Sequence, residues 1–202
     1  MESLSKSPCP NSKRRYSFDI RYDSDGWVII EKRDVQNNLS FEREWKEYKQ
    51  GFGDTKSWYL GNSKIYELTN ECVMQLQLII EFENGFGKGE MTIYETFKIE
   101  PEGTNYRINI GKRRIGSIAG WDDPEQTGVE FSTPNRGPQA NRARLRKSAF
   151  WYSANNYYND LHSPFPDAHW AKFALSPEQD QAYQNRGKIV HIELKIKPVV
   201  SN

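Results

Sequence analysis

Apolar and polar positions alternate with period two along several stretches of the chain. In Met74–Phe82 the apolar set Met74, Leu76, Leu78, Ile80 and Phe82 is interleaved with Gln75, Gln77 and Glu81. That pattern predicts a half-buried strand. Ile189–Ile196 alternates in the same way and reads as the last strand, while Trp27–Ile30 is a short apolar run that reads as a buried one. Met91–Ile99 and Tyr106–Ile110 continue the strand pattern. Asn84-Gly85 between strands is a hairpin signal, which also accounts for the glycines Gly85, Gly87 and Gly89. One segment follows the helical period instead. Phe41, Trp45 and Tyr48 recur at i, i+4 and i+7, Ser40 precedes them as a cap and Gly51 follows as a stop. The spacing predicts a helix over 41–49 with an aromatic core face. Ser176-Pro177-Glu178 reads as the start of a short helix reaching about Gln184. From about Ile115 to Pro177 regular pattern is scarce, as in loops that carry function. Residues 1–15 are rich in Ser, Lys, Pro and Asn and read as a disordered tail ahead of one domain spanning 16–198.

Composition narrows the classes. The chain has 202 residues, 28 Lys+Arg against 27 Asp+Glu, and a net charge of +1. Nucleic acid is therefore not expected as a partner, although a local basic patch remains open. Aromatic residues reach 13 % and supply the core that a low aliphatic content cannot. No apolar run is long enough to cross a bilayer, so membrane insertion is not expected. The first fifteen residues have no apolar stretch of the signal-peptide kind. Cys9 and Cys72 allow one disulfide at most. His162, His169 and His191 have no zinc spacing with either cysteine. No nucleophile elbow, Walker loop or dinucleotide glycine pattern is present, so no enzyme and no cofactor is expected.

A family resemblance enters through motifs. Asp25-Gly26-Trp27-Val28-Ile29-Ile30-Glu31-Lys32-Arg33 is followed by Phe41, Trp45, Tyr48, Gly51-Phe52-Gly53, Trp58-Tyr59-Leu60-Gly61-Asn62, Ile65 and Leu68-Thr69. Further on come Phe131-Ser132-Thr133, Phe150-Trp151-Tyr152 and the closing Leu194-Lys195-Ile196-Lys197-Pro198. In order and spacing these resemble the fibrinogen C-terminal domain, across about Phe18 to Pro198. The resemblance implies an α+β fold: a central twisted antiparallel sheet, a packed helix, and a loop-rich C-terminal subdomain holding a ligand pocket. It also implies a secreted, non-enzymatic recognition module of the ficolin and tachylectin kind, and hence an extracellular location.

The departures from that family bear on function. The family binds calcium just after Phe-Ser-Thr through aspartates. Here the run is Pro134-Asn135-Arg136-Gly137-Pro138-Gln139, without a carboxylate, so no calcium is expected. Asn141-Arg142-Ala143 stands where the family has Asn-Cys-Ala, and Asn155 where the partner cysteine would fall. Phe18-Asp19-Ile20 stands for Cys-Asp-Met, so the first framework bridge is expected to be missing too, leaving one or two free thiols. Cys72 is read as buried and inert. In the acetyl-sugar pocket of relatives, Arg146 replaces a tyrosine and Asn156 a histidine, and Phe165 is the candidate closing aromatic.

Between Arg136 and Lys147 lie Arg136, Arg142, Arg144, Arg146 and Lys147 with no acidic residue. If extended, Arg142, Arg144 and Arg146 project to one side. Arginine forks suit sulfate, phosphate and carboxylate. The candidate ligand site is Arg142, Arg144, Arg146, Tyr152 and Asn156, with no metal. It would take a glycan or an acidic protein ligand. The alternatives are a solvated basic loop paired with Asp122, Asp123 and Glu125, or a protein-interaction module with a degenerate pocket. A homo-oligomer is left open.

Overall fold

The computed structural model describes residues 4–37, 39–84, 90–116, 127–153, 160–165 and 187–200. Its centre is an antiparallel sheet. The strands are β1 (Ser5–Lys6), β2 (Arg15–Tyr16), β3 (Val28–Asp34), β4 (Phe52–Gly53), β5 (Trp58–Tyr59), β6 (Met74–Phe82), β7 (Glu90–Ile99), β8 (Ile108–Ile110), β9 (Arg113–Gly116) and β10 (Ile189–Pro198). Among the described residues the large sheet runs β4-β5-β3-β10-β6-β7-β8, with β9 also on β7. The last strand in sequence thus lies in the middle, between β3 and β6. The helices are α1 (Trp45–Gln50), α2 (Asn62–Thr69) and α3 (Ala140–Arg146).

The strand expectations from alternation hold. Met74, Leu76, Leu78, Ile80 and Phe82 are all buried on one side of β6, and Ile192, Leu194 and Ile196 are buried in β10. Tyr106 lies just ahead of β8 rather than in it, with a positive φ of 49°. The turn at Gly85 and the 176–184 helix lie outside the described residues.

Three expectations are corrected. The first helix starts at Trp45, not Phe41: Ser40 accepts the Glu42 amide in a local turn, and Glu47 Oε2 accepts the Glu44 amide at 3.1 Å. Phe41 is buried all the same, through packing on Phe52 and His162. Residues 4–15 are not a disordered tail. β1 pairs with β2, and Ser7, Ser12 and Tyr16 all donate to the Glu71 carboxylate. The third correction concerns thiols. Cys9 and Cys72 form a disulfide with Cα atoms 6.0 Å apart, which ties this ribbon to the segment just ahead of β6. Polar composition misled because the ribbon is held by that crosslink and by one carboxylate, neither of which has a periodic signature.

Gly51 and Gly61 explain part of the motif pattern. Both have positive φ, 91° and 106°. A Cβ on Gly51 would sit 2.2 Å from the Leu60 carbonyl oxygen, and one on Gly61 would sit 2.5 Å from the Gly51 nitrogen. Only glycine permits this backbone-on-backbone contact, which sets the chain after α1 against the start of α2.

Candidate functional site

The C-terminal region is built on aromatic packing. Phe131, Phe150 and Trp151 form edge contacts at centroid distances of 4.7 and 5.8 Å. Trp151 Nε1 donates to the Tyr106 carbonyl at 2.7 Å. Ser132 and Phe150 exchange backbone hydrogen bonds, 3.0 Å each. From this base Gln139 leads into α3.

The extended reading of 142–146 is overturned, because Ala140-Asn141-Arg142-Ala143-Arg144-Leu145-Arg146 is helical. Ala, Arg and Leu are strong helix formers and no β-branched residue interrupts them. Period two was therefore the wrong template for Arg142, Arg144 and Arg146. On a helix, Arg142 and Arg146 share a face and Arg144 points elsewhere. Arg142 is buried, donates to the Ser153 carbonyl at 2.8 Å and lies over the Tyr152 ring at 4.9 Å. Arg144 is exposed and bonds the Pro134 carbonyl and Asn141. Arg146 is half-buried, and Leu145 beside it is 86 % exposed. Lys147 ends the helix in a left-handed conformation, φ 51°. Positive charge in this last turn also complements the helix dipole.

Tyr152 does not face solvent, being 2 % exposed. Its hydroxyl sits with Ser148 and donates to Asp160 Oδ2 at 3.1 Å, and burial pushes its pKa well up. Arg142 and Tyr152 therefore hold α3 to the body of the domain. Asn156, Asp122, Asp123 and Glu125 lie outside the described residues.

The loop after Phe131-Ser132-Thr133 does not fit a calcium ion. Asn135 Oδ1 already accepts the Trp45 amide at 3.0 Å and the Thr133 hydroxyl at 2.8 Å. Arg136 puts a fixed cation there. Its guanidinium lies 3.9 Å from the Trp45 ring centroid, pairs with Glu102 Oε1 at 3.0 Å and donates to Asn105 Oδ1 at 3.1 Å. Lys49 and Trp45 also donate to Glu102, and these contacts hold its carboxyl below the ordinary 4.5. Arg136→Gln should cost about 1–2 kcal/mol, from a cation–π contact and charge-assisted hydrogen bonds. Calcium or EDTA should leave the melting temperature of the natural chain unchanged. The clasp contributes fully above that ordinary carboxyl value and fades as pH falls through the lower folded one. A melting temperature raised by calcium would contradict this.

Sequence reasoning missed a second set of charges. Glu31 and His162 are both fully buried, with His162 Nε2 2.8 Å from Glu31 Oε2. Arg33 beside them donates to the carbonyls of Leu161 and Ser163, and lies over Phe41 at 4.3 Å and Phe165 at 4.6 Å. Phe165 thus packs on an arginine. The partners are some 130 residues apart, so no local signal could pair them.

Comparison with known proteins agrees with this architecture. The family model for fibrinogen beta and gamma chains, C-terminal globular domain, matches residues 8–169. Angiopoietin-related protein 2 of Mus musculus is 34 % identical over 140 residues, 67 % of this chain and 27 % of that protein. Ryncolin-4 of Cerberus rynchops is 33 % identical over 139 residues, 66 % of this chain and 39 % of that protein. The chain thus spans between about a quarter and two fifths of the length of these relatives. The fibrinogen-like globe domain of human ANGPTL2 superposes with a TM-score of 0.72 at 27 % identity, covering 97 % of this chain and 91 % of that one. Lamprey fibrin D-dimer, solved with the peptide Gly-His-Arg-Pro-amide, shares the fold at a TM-score of 0.65 and 23 % identity, covering 94 % and 68 %. With its central β10, its paired motif glycines and its helix-borne C-terminal loop, the chain belongs to the fibrinogen C-terminal domain family.

Proposed function

We propose that this chain is a non-enzymatic, calcium-independent recognition domain that takes an anionic ligand at the C-terminal half of α3. The supporting observation is a single turn in which Arg144, Leu145, Arg146 and Lys147 follow one another with no acidic residue among them. Arg144 and Lys147 are exposed there and Arg146 is half-exposed. Arg142 and Tyr152 serve as the platform. The ligand is a glycan carrying sulfate or carboxylate, or an acidic protein segment. Location outside the cell fits the Cys9–Cys72 bridge, because such crosslinks persist in oxidising compartments.

A second reading, a protein-interaction module, is favoured by Leu145. An apolar side chain that exposed, set between arginines, suits an acidic peptide with one apolar anchor better than a sugar. A heparin column tests the basic turn that both readings use, and Leu145→Ser separates them. Arg144→Gln with Arg146→Gln should elute at clearly lower salt than the natural chain, since each charge removed weakens a screened contact. Leu145→Ser should leave heparin retention unchanged and weaken only a protein partner. Equal elution of the double variant and the natural chain would sink the α3 site.

A further inference from the structure

We propose a second ligand site, away from α3, in the cleft between the segment leading into β3 and the β4–β5 edge, and that its ligand is a sugar bearing a carboxylate or sulfate. The cleft has a volume of about 480 Å³ and is lined by Phe18, Asp19, Arg21, Phe52, Trp58 and Lys64, among others. That volume lies within the range of small-molecule sites.

Lys64 is half-buried, and burial lowers its pKa. Among the described residues its ammonium makes no hydrogen bond and no ion pair. Asp19 influences it electrostatically, but lies beyond ion-pair distance. It lies over the Phe18 ring, with Nζ 5.7 Å from the centroid. Lys64 also occupies the first turn of α2, which has no acidic residue and where the helix dipole disfavours a cation. A half-buried, unpaired lysine in that position costs stability on two counts. An anion in the cleft would relieve both. Local choices that oppose the fold are expected where a site needs them.

Arg21 supplies the second cation. Its guanidinium lies 4.3 Å from the Trp58 ring centroid and donates through Nη1 to the Asp54 carbonyl at 2.9 Å. Its other donors make no hydrogen bond among the described residues. The stacking fixes the fork in place, so an incoming carboxylate or sulfate meets a preorganised partner. Trp58 Nε1 is a buried donor without a partner among the described residues. Phe18 adds a half-buried ring, against which the C–H face of a pyranose can pack, while the Phe52 ring is already packed on Tyr48 and Tyr59. Asp19 is exposed at the rim and free to accept sugar hydroxyls. The Asp54 carboxylate is not, because it already accepts from the Lys56 and Ser57 amides and from Asn37. Two cations, an aromatic face and one available acceptor describe an acidic sugar better than a neutral one, for which the cations would have no counterpart.

The test is titration of the natural chain with glucuronate, with N-acetylglucosamine 6-sulfate and with neutral N-acetylglucosamine, followed by tryptophan fluorescence and calorimetry. At least one of the two acidic sugars should bind saturably at up to about 10 mM, and the neutral one should not. Which acid binds identifies the anion. Lys64→Gln and Arg21→Ala should each weaken that binding roughly tenfold, the loss expected for a charge-assisted contact. Arg144→Gln with Arg146→Gln removes any contribution from α3, so the Lys64 and Arg21 changes are read in that double-variant background as well, and failure at α3 and failure at this cleft are separate results. Thermal melting supplies the control for a structural role: Lys64→Gln should melt at the same temperature as the natural chain or higher. No saturable binding of either acid, binding indifferent to Lys64→Gln, or a Lys64→Gln variant that melts lower and binds normally would each overturn the proposal.

Discussion

His162→Ala should lower the unfolding free energy by about 3–5 kcal/mol, the largest effect expected of any single substitution outside the hydrophobic core. The reason lies in the hydrogen-bond accounts of two buried side chains. Tyr48 donates its hydroxyl proton to the Phe41 carbonyl at 2.7 Å. His162 Nδ1 faces the Ala149 carbonyl, which can only accept, so Nδ1 carries a proton. One further proton lies between Nε2 and Glu31 Oε2. Glu31 Oε1 already has no partner among the described residues. Removing the imidazole therefore leaves the whole Glu31 carboxyl buried without a hydrogen bond. It also opens a cavity among Phe41, Tyr48, Tyr59 and Phe150, whose rings all lie within about 5.5 Å of the imidazole. Urea unfolding is the measurement, with the midpoint falling and the slope unchanged. Adding Glu31→Gln to His162→Ala should cost less than the two single losses summed, since the orphaned charge goes with its partner. Strict additivity would mean that the two groups do not act as a pair.

Replacing Cys9 and Cys72 by serine should cost a comparable amount. The bridge closes a loop with a sequence separation of 63 residues. Chain-entropy arguments give about 4 kcal/mol for a loop of that size. The loss should be felt first at the N-terminal ribbon, where β1 and β2 have only two residues each and depend on the crosslink. Proteolysis under native conditions should then nick residues 4–15 in the double variant and spare them in the natural chain. Equal resistance of the two would show that the Glu71 hydrogen bonds alone suffice to hold the ribbon.

The same two features mark the limit of reading this chain as a string. Strands β6, β7 and β10 were legible because one buried face imposes period two, and β6 keeps it over nine residues, while the start of β3 was legible as a short apolar run. The aromatic face of Phe41, Trp45 and Tyr48 was legible as core, though not the helix start, which a Glu44–Glu47 exchange decided over the Ser40 turn. The motif glycines were legible as a family pattern, while their cause, two backbones within Cβ reach of each other, is visible only in three dimensions. At the candidate site the basic residues were found, but their arrangement was not. Arg-x-Arg-x-Arg has period two in letters and forms a helix in fact, because propensity favours the helix and Arg142 gains a buried carbonyl by turning inward.

By itself, then, the sequence determined the α+β class, most of the sheet and the absence of carboxylates from the 134–139 loop, since each depends on local spacing or residue type. Only the tertiary structure decided the rest. It joined Cys9 to Cys72 and Glu31 to His162, laid Arg136 on Trp45, and left Lys64 half-buried beside Phe18 without a counter-ion among the described residues. These are pairings between groups far apart in the chain. Their energies depend on burial and distance, and neither quantity is written in the order of residues.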